Sequence, residues 1–143
     1  VTVTTVDASC YDVCDGSANA VTLGGAPPYV EDWSGFNPNA LCAGFYNLLV
    51  TDNNGCITSS SVTINEPNPV IVNIWQDGNY LEADPGFNSY QWLDDQGNPI
   101  SGANSPQYTP QTQGEYSVLI TDTNGCPGNS VVIFFLADLI INF

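Results

Sequence analysis

An internal repeat constrains this chain more than any other feature of its sequence. Residues 43–56 read AGFYNLLVTDNNGC and residues 113–126 read QGEYSVLITDTNGC, at an offset of 70 positions. Similar segments at a fixed spacing indicate that one structural unit occurs twice. Between them, residues 65–69 read NEPNP, and prolines there interrupt the flanking β-rich runs. The sequence therefore predicts two tandem modules, residues 1–67 and residues 68–143.

Both copies of the repeat are typical of a β-hairpin. Residues 46–50 and 116–120 are rich in strand formers, and each run ends at Asp-x-Asn-Gly, which is a turn signal. Return strands are expected over 59–64 and 130–135. A Trp on an earlier strand and a Gly-x-Tyr before the penultimate one favour an immunoglobulin-like sandwich with a tyrosine corner. The predicted fold class is all-β, with two tandem small Ig-like antiparallel β-sandwich modules.

The charge of the chain excludes several classes of function. It contains no Lys, Arg or His against 15 Asp and Glu, which gives a formal net charge of −15. Nucleic-acid binding and attraction to an anionic membrane both need basic side chains. Most catalytic mechanisms use an imidazole or amine side chain as the base or as the partner of a nucleophile. This chain has neither His nor Lys. The chain is therefore predicted to be neither an enzyme nor a nucleic-acid-binding protein.

A known surface repeat shares many positions with residues 1–67. They are Cys10, Asp15-Gly16-Ser17-Ala18, Gly24-Gly25-Ala26-Pro27-Pro28-Tyr29, Trp33, Leu41, Ala43-Gly44, Tyr46, Val50-Thr51-Asp52, Asn54-Gly55-Cys56 and Asn65-Glu66-Pro67. Through them the first module resembles the SprB-type repeat of large cell-surface adhesins in gliding Bacteroidota. The second module is similar, more loosely, to the Ig-like domains that accompany such repeats, through residues including Tyr90, Trp92, Tyr108, Tyr116 and Cys126. The resemblance implies display on the bacterial cell surface and adhesive or structural work without catalysis.

The cysteines indicate an oxidising compartment, because small extracellular domains depend on disulfides. In the repeats that the first module resembles, Cys10 and Cys56 would be the natural pair. Cys14 and Cys42 then suggest a second bridge in the same module, and Cys126 is expected to be unpaired or bonded to another chain. Other pairings stay open, because connectivity does not follow from sequence alone.

The C-terminal segment is strongly apolar, since eleven of residues 131–143 are hydrophobic or aromatic. It is too short for a membrane-spanning helix, which needs about 17 residues or more, so no membrane insertion is expected. One interpretation is a core strand with a hydrophobic end. The other is an assembly strand, Leu139, Ile140, Ile141 and Phe143, that adds to a neighbouring copy and grows a head-to-tail polymer. The acceptor would be the strand-like edge at Val1, Val3 and Val6.

The many carboxylates of the chain are candidate ligands for a cation, because Ca²⁺ prefers oxygen ligands. The Ca²⁺ candidates are Asp12, Asp15, Asp94 and Asp95, for which the alternative is ordinary turn chemistry. No other cofactor is expected.

The sequence favours a non-enzymatic structural subunit of an extracellular fibre or filamentous adhesin, whose partners are copies of itself or neighbouring repeats of a longer chain. The alternative is an adhesive module that binds carbohydrate, such as surface glycans, or Ca²⁺. Exposure of Trp75, Tyr80 or Tyr108 together on one face would favour that alternative.

Overall fold

The protein, represented by a computed structural model, is described over residues 1–137. It divides into two compact units, unit 1 (Val1–Pro69) and unit 2 (Val70–Phe143). All the regular structure described is β-strand in antiparallel sheets, which confirms the predicted fold class. Accordingly, residues 1–137 contain no helix long and apolar enough to cross a membrane.

The boundary between the units falls after Pro69 rather than Pro67. The preceding residues still belong to unit 1, because the amide of Ala8 donates to the carbonyl of Asn65 at 2.9 Å and Glu66 accepts from the amide of Asp12 at 2.7 Å. Val70 instead forms a β-bridge with Gly128 in unit 2. The change of unit therefore lies between Glu66 and Val70, within the proline-containing segment that the sequence indicated.

Unit 1 consists of two small antiparallel sheets. Its strands are β1 (Thr2–Val6), β2 (Ser17–Val21), β3 (Val30–Asp32), β4 (Gly44–Thr51) and β5 (Ile57–Ile64). β1 pairs with β2, and the other sheet has the order β3-β4-β5. Alternate residues of β4 are buried, as expected for a strand with one face on a core. They join a cluster with residues from the other sheet and from the loops: Ala18, Trp33, Leu41, Tyr46, Leu48, Val50 and Ile64.

Unit 2 repeats this plan with a larger core. Its strands are β6 (Ile74–Asp77), β7 (Tyr80–Ala83), β8 (Ser89–Leu93), β9 (Gln107–Tyr108), β10 (Gly114–Thr121), β11 (Pro127–Asn129) and β12 (Ile133–Phe135). One sheet has the order β6-β7-β9; in the other, β10 pairs with β8, β11 and β12. Side chains from both sheets form one cluster: Val72, Leu81, Ala83, Tyr90, Trp92, Ala103, Tyr116, Val118, Ile120 and Phe135.

Of the return strand predicted over 130–135, only 133–135 is strand, as β12, and a separate short strand, β11, precedes it. Ser130 lies at the break and is buried. The amide of Ser130 donates to the carbonyl of Val118 at 2.9 Å. Its hydroxyl oxygen accepts from the amide of Val118, also at 2.9 Å, and so takes the place of a backbone carbonyl. The side chain therefore satisfies a buried amide that a regular ladder would otherwise pair. The prediction of one continuous strand was wrong for this reason.

Both units contain the predicted tyrosine corner. The hydroxyl of Tyr46 donates to the carbonyl of Cys42 at 3.0 Å, and the hydroxyl of Tyr116 donates to the carbonyl of Thr112 at 2.9 Å. In both cases the acceptor lies four residues upstream and the ring is buried. This bond fixes the loop before β4 in unit 1 and the loop before β10 in unit 2, as in Ig-like sandwiches.

The Asp-x-Asn-Gly turns also have the same geometry in both units. One carboxylate oxygen of Asp52 accepts from the amides of Asn54 and Cys56, both at 2.9 Å, and Asp122 accepts from the equivalent amides at 2.8 Å. The second oxygen of Asp52 also accepts from the amide of Ala26, at 3.1 Å. Gly25 permits this approach, because a Cβ atom there would lie 2.8 Å from that oxygen.

Asp52 should make unit 1 sensitive to acid. The amide of Ala26, followed by that of Cys56, lowers the pKa of the Asp52 carboxyl below its ordinary 3.8. Because the unfolded chain then binds the proton more readily, this contribution to stability is complete above about pH 3.8 and is lost as the pH falls through the folded pKa. We expect Asp52→Asn to lower the free energy of unfolding of unit 1 at pH 6 and to flatten its dependence on pH between 4 and 2.

Denaturant titrations at a series of pH values would measure this effect. Asp122→Asn is the matched control, because it removes the equivalent carboxylate of unit 2 and leaves the bond to Ala26 intact. An Asp52→Asn profile that runs parallel to that of the wild type would contradict the prediction.

Candidate functional site: an open strand edge and an aromatic face

The cysteines are bonded differently from the pattern implied by the resemblance. Cys14 and Cys42 form a disulfide, as expected for the second bridge. Cys56 is a free, exposed thiol, so the expected Cys10–Cys56 bridge is wrong. Cys10 and Cys126 both take part in disulfides, and the expectation that Cys126 is unpaired is therefore wrong as well. The hairpin turn explains the first error, because it places Cys56 at the surface while Cys10 is buried.

Two of the four Ca²⁺ candidates lie in each unit. Asp12 and Asp15 lie before β2 in unit 1, and Asp94 and Asp95 lie after β8 in unit 2. Over residues 1–137, no three acidic or other ligating side chains form a group that would hold a metal ion. Asp15 accepts from the amide and hydroxyl of Ser9, which lowers the pKa of the Asp15 carboxyl. Asp94 caps its own turn by accepting from the amides of Gln96 and Asn98. Local hydrogen bonds of this kind account for the carboxylates of Asp15 and Asp94 without a bound cation.

β1 has an open edge along the stretch suggested as an acceptor. Over the described part of the chain, the strand pairs only with β2, in a register that runs from Thr2↔Val21 to Val6↔Ser17. Val3 packs against the core of unit 1, while Val6 is exposed. The open stretch ends at Ala8, whose amide bonds to Asn65. No strand within residues 1–137 pairs with the other side of β1, and four of its five residues are exposed.

A hollow of about 220 Å³ lies beside the start of β1. Its lining includes Val1, Leu23, Tyr29 and Ile57, and the side chains of Leu23 and Ile57 are largely exposed. A dry cavity of about 150 Å³ is large enough for benzene, so this hollow is large enough for one bulky apolar side chain. Val1, which directly precedes β1, is part of this hollow, and the lining combines apolar side chains with polar ones that include Asp52.

The apolar C-terminal run is only partly covered by its own unit. Phe135 is buried in the core of unit 2, whereas Val131, Val132, Phe134 and Leu136 are exposed. The side chain of Gln76 on β6 holds the backbone of Leu136 by two bonds, donating to its carbonyl at 2.7 Å and accepting from its amide at 3.1 Å. The interpretation as a core strand therefore holds for Phe135 and not for these four exposed side chains.

The proposed assembly strand itself lies outside the described residues. Its members are Leu139, Ile140, Ile141 and Phe143. The path of the chain is described as far as Ala137, an exposed residue directly after the Gln76 contact.

Of the three aromatic residues named for an adhesive face, two lie on one surface. Trp75 pairs with Glu82, and Asp77 pairs with Tyr80, on the outward face of the β6-β7-β9 sheet. Tyr108 is on the opposite face, because it pairs with the buried Leu81. Its ring stacks on Trp92 in the core, with 5.9 Å between centroids, and desolvation there raises the pKa of the Tyr108 hydroxyl.

Sequence reasoning missed Glu82 and Gln107, which lie in one row with Trp75. Glu82 pairs with both residues across neighbouring strands. The alternation of β7, in which Leu81 and Ala83 are buried, was the only signal in the sequence that placed Glu82 on the outer face. Nothing local linked it to Gln107, which is 25 residues away.

The fold and these surfaces define an all-β protein made of two antiparallel sandwich units with tyrosine corners. No family model and no curated protein matches the chain. Among solved structures, it is similar to the fibronectin(III)-like modules of CbhA from Clostridium thermocellum, at 15% identity and a TM-score of 0.35, over 95% of both chains.

A second solved structure is SGBP-B of the Bacteroides ovatus mixed-linkage glucan utilization locus, in complex with a mixed-linkage heptasaccharide. The identity is 18% and the TM-score 0.28, over 74% of this chain and 35% of that chain. This protein thus spans about a third of the length of SGBP-B.

Proposed function

We propose that this chain is a non-enzymatic structural subunit of an extracellular fibre or filamentous adhesin on a bacterial cell surface. In this proposal, the C-terminal segment of one copy, or of a neighbouring repeat in a longer chain, adds as a strand to the open edge of β1 in the next. The observation that carries the proposal is the free side of β1, which has no pairing partner within residues 1–137.

The chemistry of strand addition fits what lies around β1. An added strand receives main-chain hydrogen bonds from the edge, and its alternate side chains need pockets. The edge runs over Thr2–Val6, and the hollow lined by Val1, Leu23 and Ile57 lies beside its start. An apolar segment such as 137–143 supplies both the backbone and the side chains for these two features.

An apolar contact of this kind would offset the electrostatic repulsion between copies. Two copies at a formal charge of −15 repel each other, and the chain has no Lys or Arg to pair with a carboxylate of its neighbour. Burial of apolar surface is independent of charge and stabilises by about 25 cal/mol per Å². The exposed side chains of Val131, Val132, Phe134 and Leu136 provide such surface on unit 2.

The location outside the cell is supported by the disulfides. Cys14 is bonded to Cys42, and Cys10 and Cys126 are also oxidised. Disulfides persist in oxidising compartments and are rare in the cytosol. A surface fibre is exposed to such conditions throughout its life.

Deletion of residues 137–143 should abolish filaments, because it removes the strand that would be added. The intact chain and the truncated chain would be compared by negative-stain electron microscopy and light scattering at equal concentration. Filaments that survive the deletion, or an intact chain that forms none, would overturn the proposal.

A charge at the acceptor provides a separate test. Leu23→Asp places a carboxylate in the hollow beside β1, at a side chain that is 85% exposed and so tolerates the change. Val30→Asp is the matched control, since it adds the same charge to unit 1 at a residue that is 65% exposed and outside the hollow. We expect filaments from the control only, and equal assembly by both variants would count against the β1 edge.

A further inference from the structure

Three side chains from three strands form a row on the outward face of unit 2. Trp75 on β6 pairs with Glu82 on β7, which in turn pairs with Gln107 on β9. The flanking residues Leu81 and Ala83 are buried, so the row points away from the core. Neighbouring strands lie about 4.8 Å apart, and the row therefore spans about 10 Å.

A shallow hollow of about 480 Å³ lies over this row. Its walls include Pro85, Ser105 and Pro106 together with the row itself. This volume is within the range of small-molecule sites, which combine an apolar lining with a few placed polar groups. Its lining residues all belong to unit 2, and none of residues 131–137 is among them.

The polar groups of the hollow are planar and hold one another in place. The side-chain amide of Gln107 donates to the carboxylate of Glu82. An amide provides a carbonyl acceptor and a second N–H besides the one already used, and a carboxylate has several acceptor positions. The indole N–H of Trp75 adds a donor. The row thus presents both donors and acceptors next to an aromatic face.

The negative charge of the chain limits which ligands this hollow can bind. Glu82 is acidic, and the chain has no Lys, Arg or His to receive an anion. Phosphates, sulfates and uronic acids would be repelled by a protein at −15. Anionic ligands are therefore disfavoured, and an uncharged ligand with an apolar face for the indole and hydroxyl groups for Glu82 and Gln107 matches the chemistry of the row.

We propose that this hollow binds an uncharged oligosaccharide, with the indole of Trp75 as the stacking surface. The C–H face of a pyranose ring is apolar and weakly positive, which suits the negative face of an aromatic ring. Two linked rings are about as long as the row, about 10 Å. Glu82 and Gln107 orient the sugar through its hydroxyl groups. This site is distinct from the β1 edge, so a result against sugar binding does not count against the fibre proposal, and the reverse also holds.

Tryptophan fluorescence gives a direct test, because the other two tryptophans are buried. Trp75 is 39% exposed, against 6% for Trp33 and 0% for Trp92. The full chain would be titrated with uncharged gluco-, xylo- and manno-hexaoses, and with an oligogalacturonate as the charged comparison. We expect at least one uncharged sugar to change the emission with saturation, and the charged one to have no effect.

Variants separate the site from nonspecific binding. Trp75→Ala should weaken sugar binding about tenfold or more in isothermal titration calorimetry, consistent with loss of an aromatic stack. Phe45→Ala, at an exposed aromatic residue of unit 1, is the matched control and should bind like the wild type. The proposal is overturned if no uncharged hexaose binds, or if Trp75→Ala binds as the wild type does while its melting temperature is unchanged. Filament formation, measured on the same variants, reports on the fibre proposal independently.

Discussion

Replacing Trp92 with alanine is expected to unfold unit 2 at temperatures where unit 1 is still folded. The side chain is 0% exposed, stacks on Tyr108 and donates its indole N–H to the carbonyl of Ser105 at 2.9 Å. Truncation of a buried Trp destabilises by about 3–5 kcal/mol, because it leaves a cavity and here also an unpaired carbonyl. Native domains are stable by only about 5–15 kcal/mol in total.

Scanning calorimetry would measure this effect. For a domain of this size, each kcal/mol lowers the melting temperature by roughly 4–8 °C, so the transition of unit 2 should fall by about 12 °C or more. Trp75→Ala is the matched control, since the same truncation at the surface should cost about 1 kcal/mol or less. Equal shifts for the two variants would contradict the core position of Trp92.

Removal of the Cys14–Cys42 disulfide is expected to have the second largest effect. The two residues are 28 positions apart, and the chain-entropy estimate for a loop of that length is about 3.5 kcal/mol. Unit 1 has the smaller core, because its described cluster has seven buried residues against ten in unit 2. Its stability is therefore expected to depend strongly on this disulfide. We expect Cys14→Ser with Cys42→Ser to lower the free energy of unfolding of unit 1 by about this amount.

Denaturant unfolding under non-reducing conditions would measure the loss. Cys56→Ser provides the control, because it changes a free and exposed thiol in the same unit and should alter stability by about 0.5 kcal/mol at most. If the double variant unfolds at the same denaturant concentration as the control, the disulfide contributes nothing and the estimate fails.

Features that depend on a few neighbouring residues were predictable from the sequence. The tyrosine corners at Tyr46 and Tyr116 join residues four positions apart, and the turns at Asp52 and Asp122 close within five residues. Such contacts form whenever the local strand and turn form, so the repeat in the sequence carries them directly. The all-β class followed for the same reason.

Features that depend on distant pairs were predicted less well. The Cys10–Cys56 pairing was inferred from a resemblance, but the hairpin turn leaves Cys56 at the surface. The break between β11 and β12 arises because the side chain of Ser130 reaches the amide of Val118, twelve residues away. The sequence alone does not distinguish a serine that is buried and bonded to a distant amide from any other serine in a strand-forming run.

The sequence by itself determined that this protein is an acidic all-β chain of two related units with a tyrosine corner in each. Those properties follow from composition, alternation and local turns. Only the tertiary structure decided that β1 keeps a free edge beside a hollow, and that Trp75, Glu82 and Gln107 form one row while Tyr108 enters the core. The physical reason is strand register, since a shift of one residue moves a side chain to the opposite face.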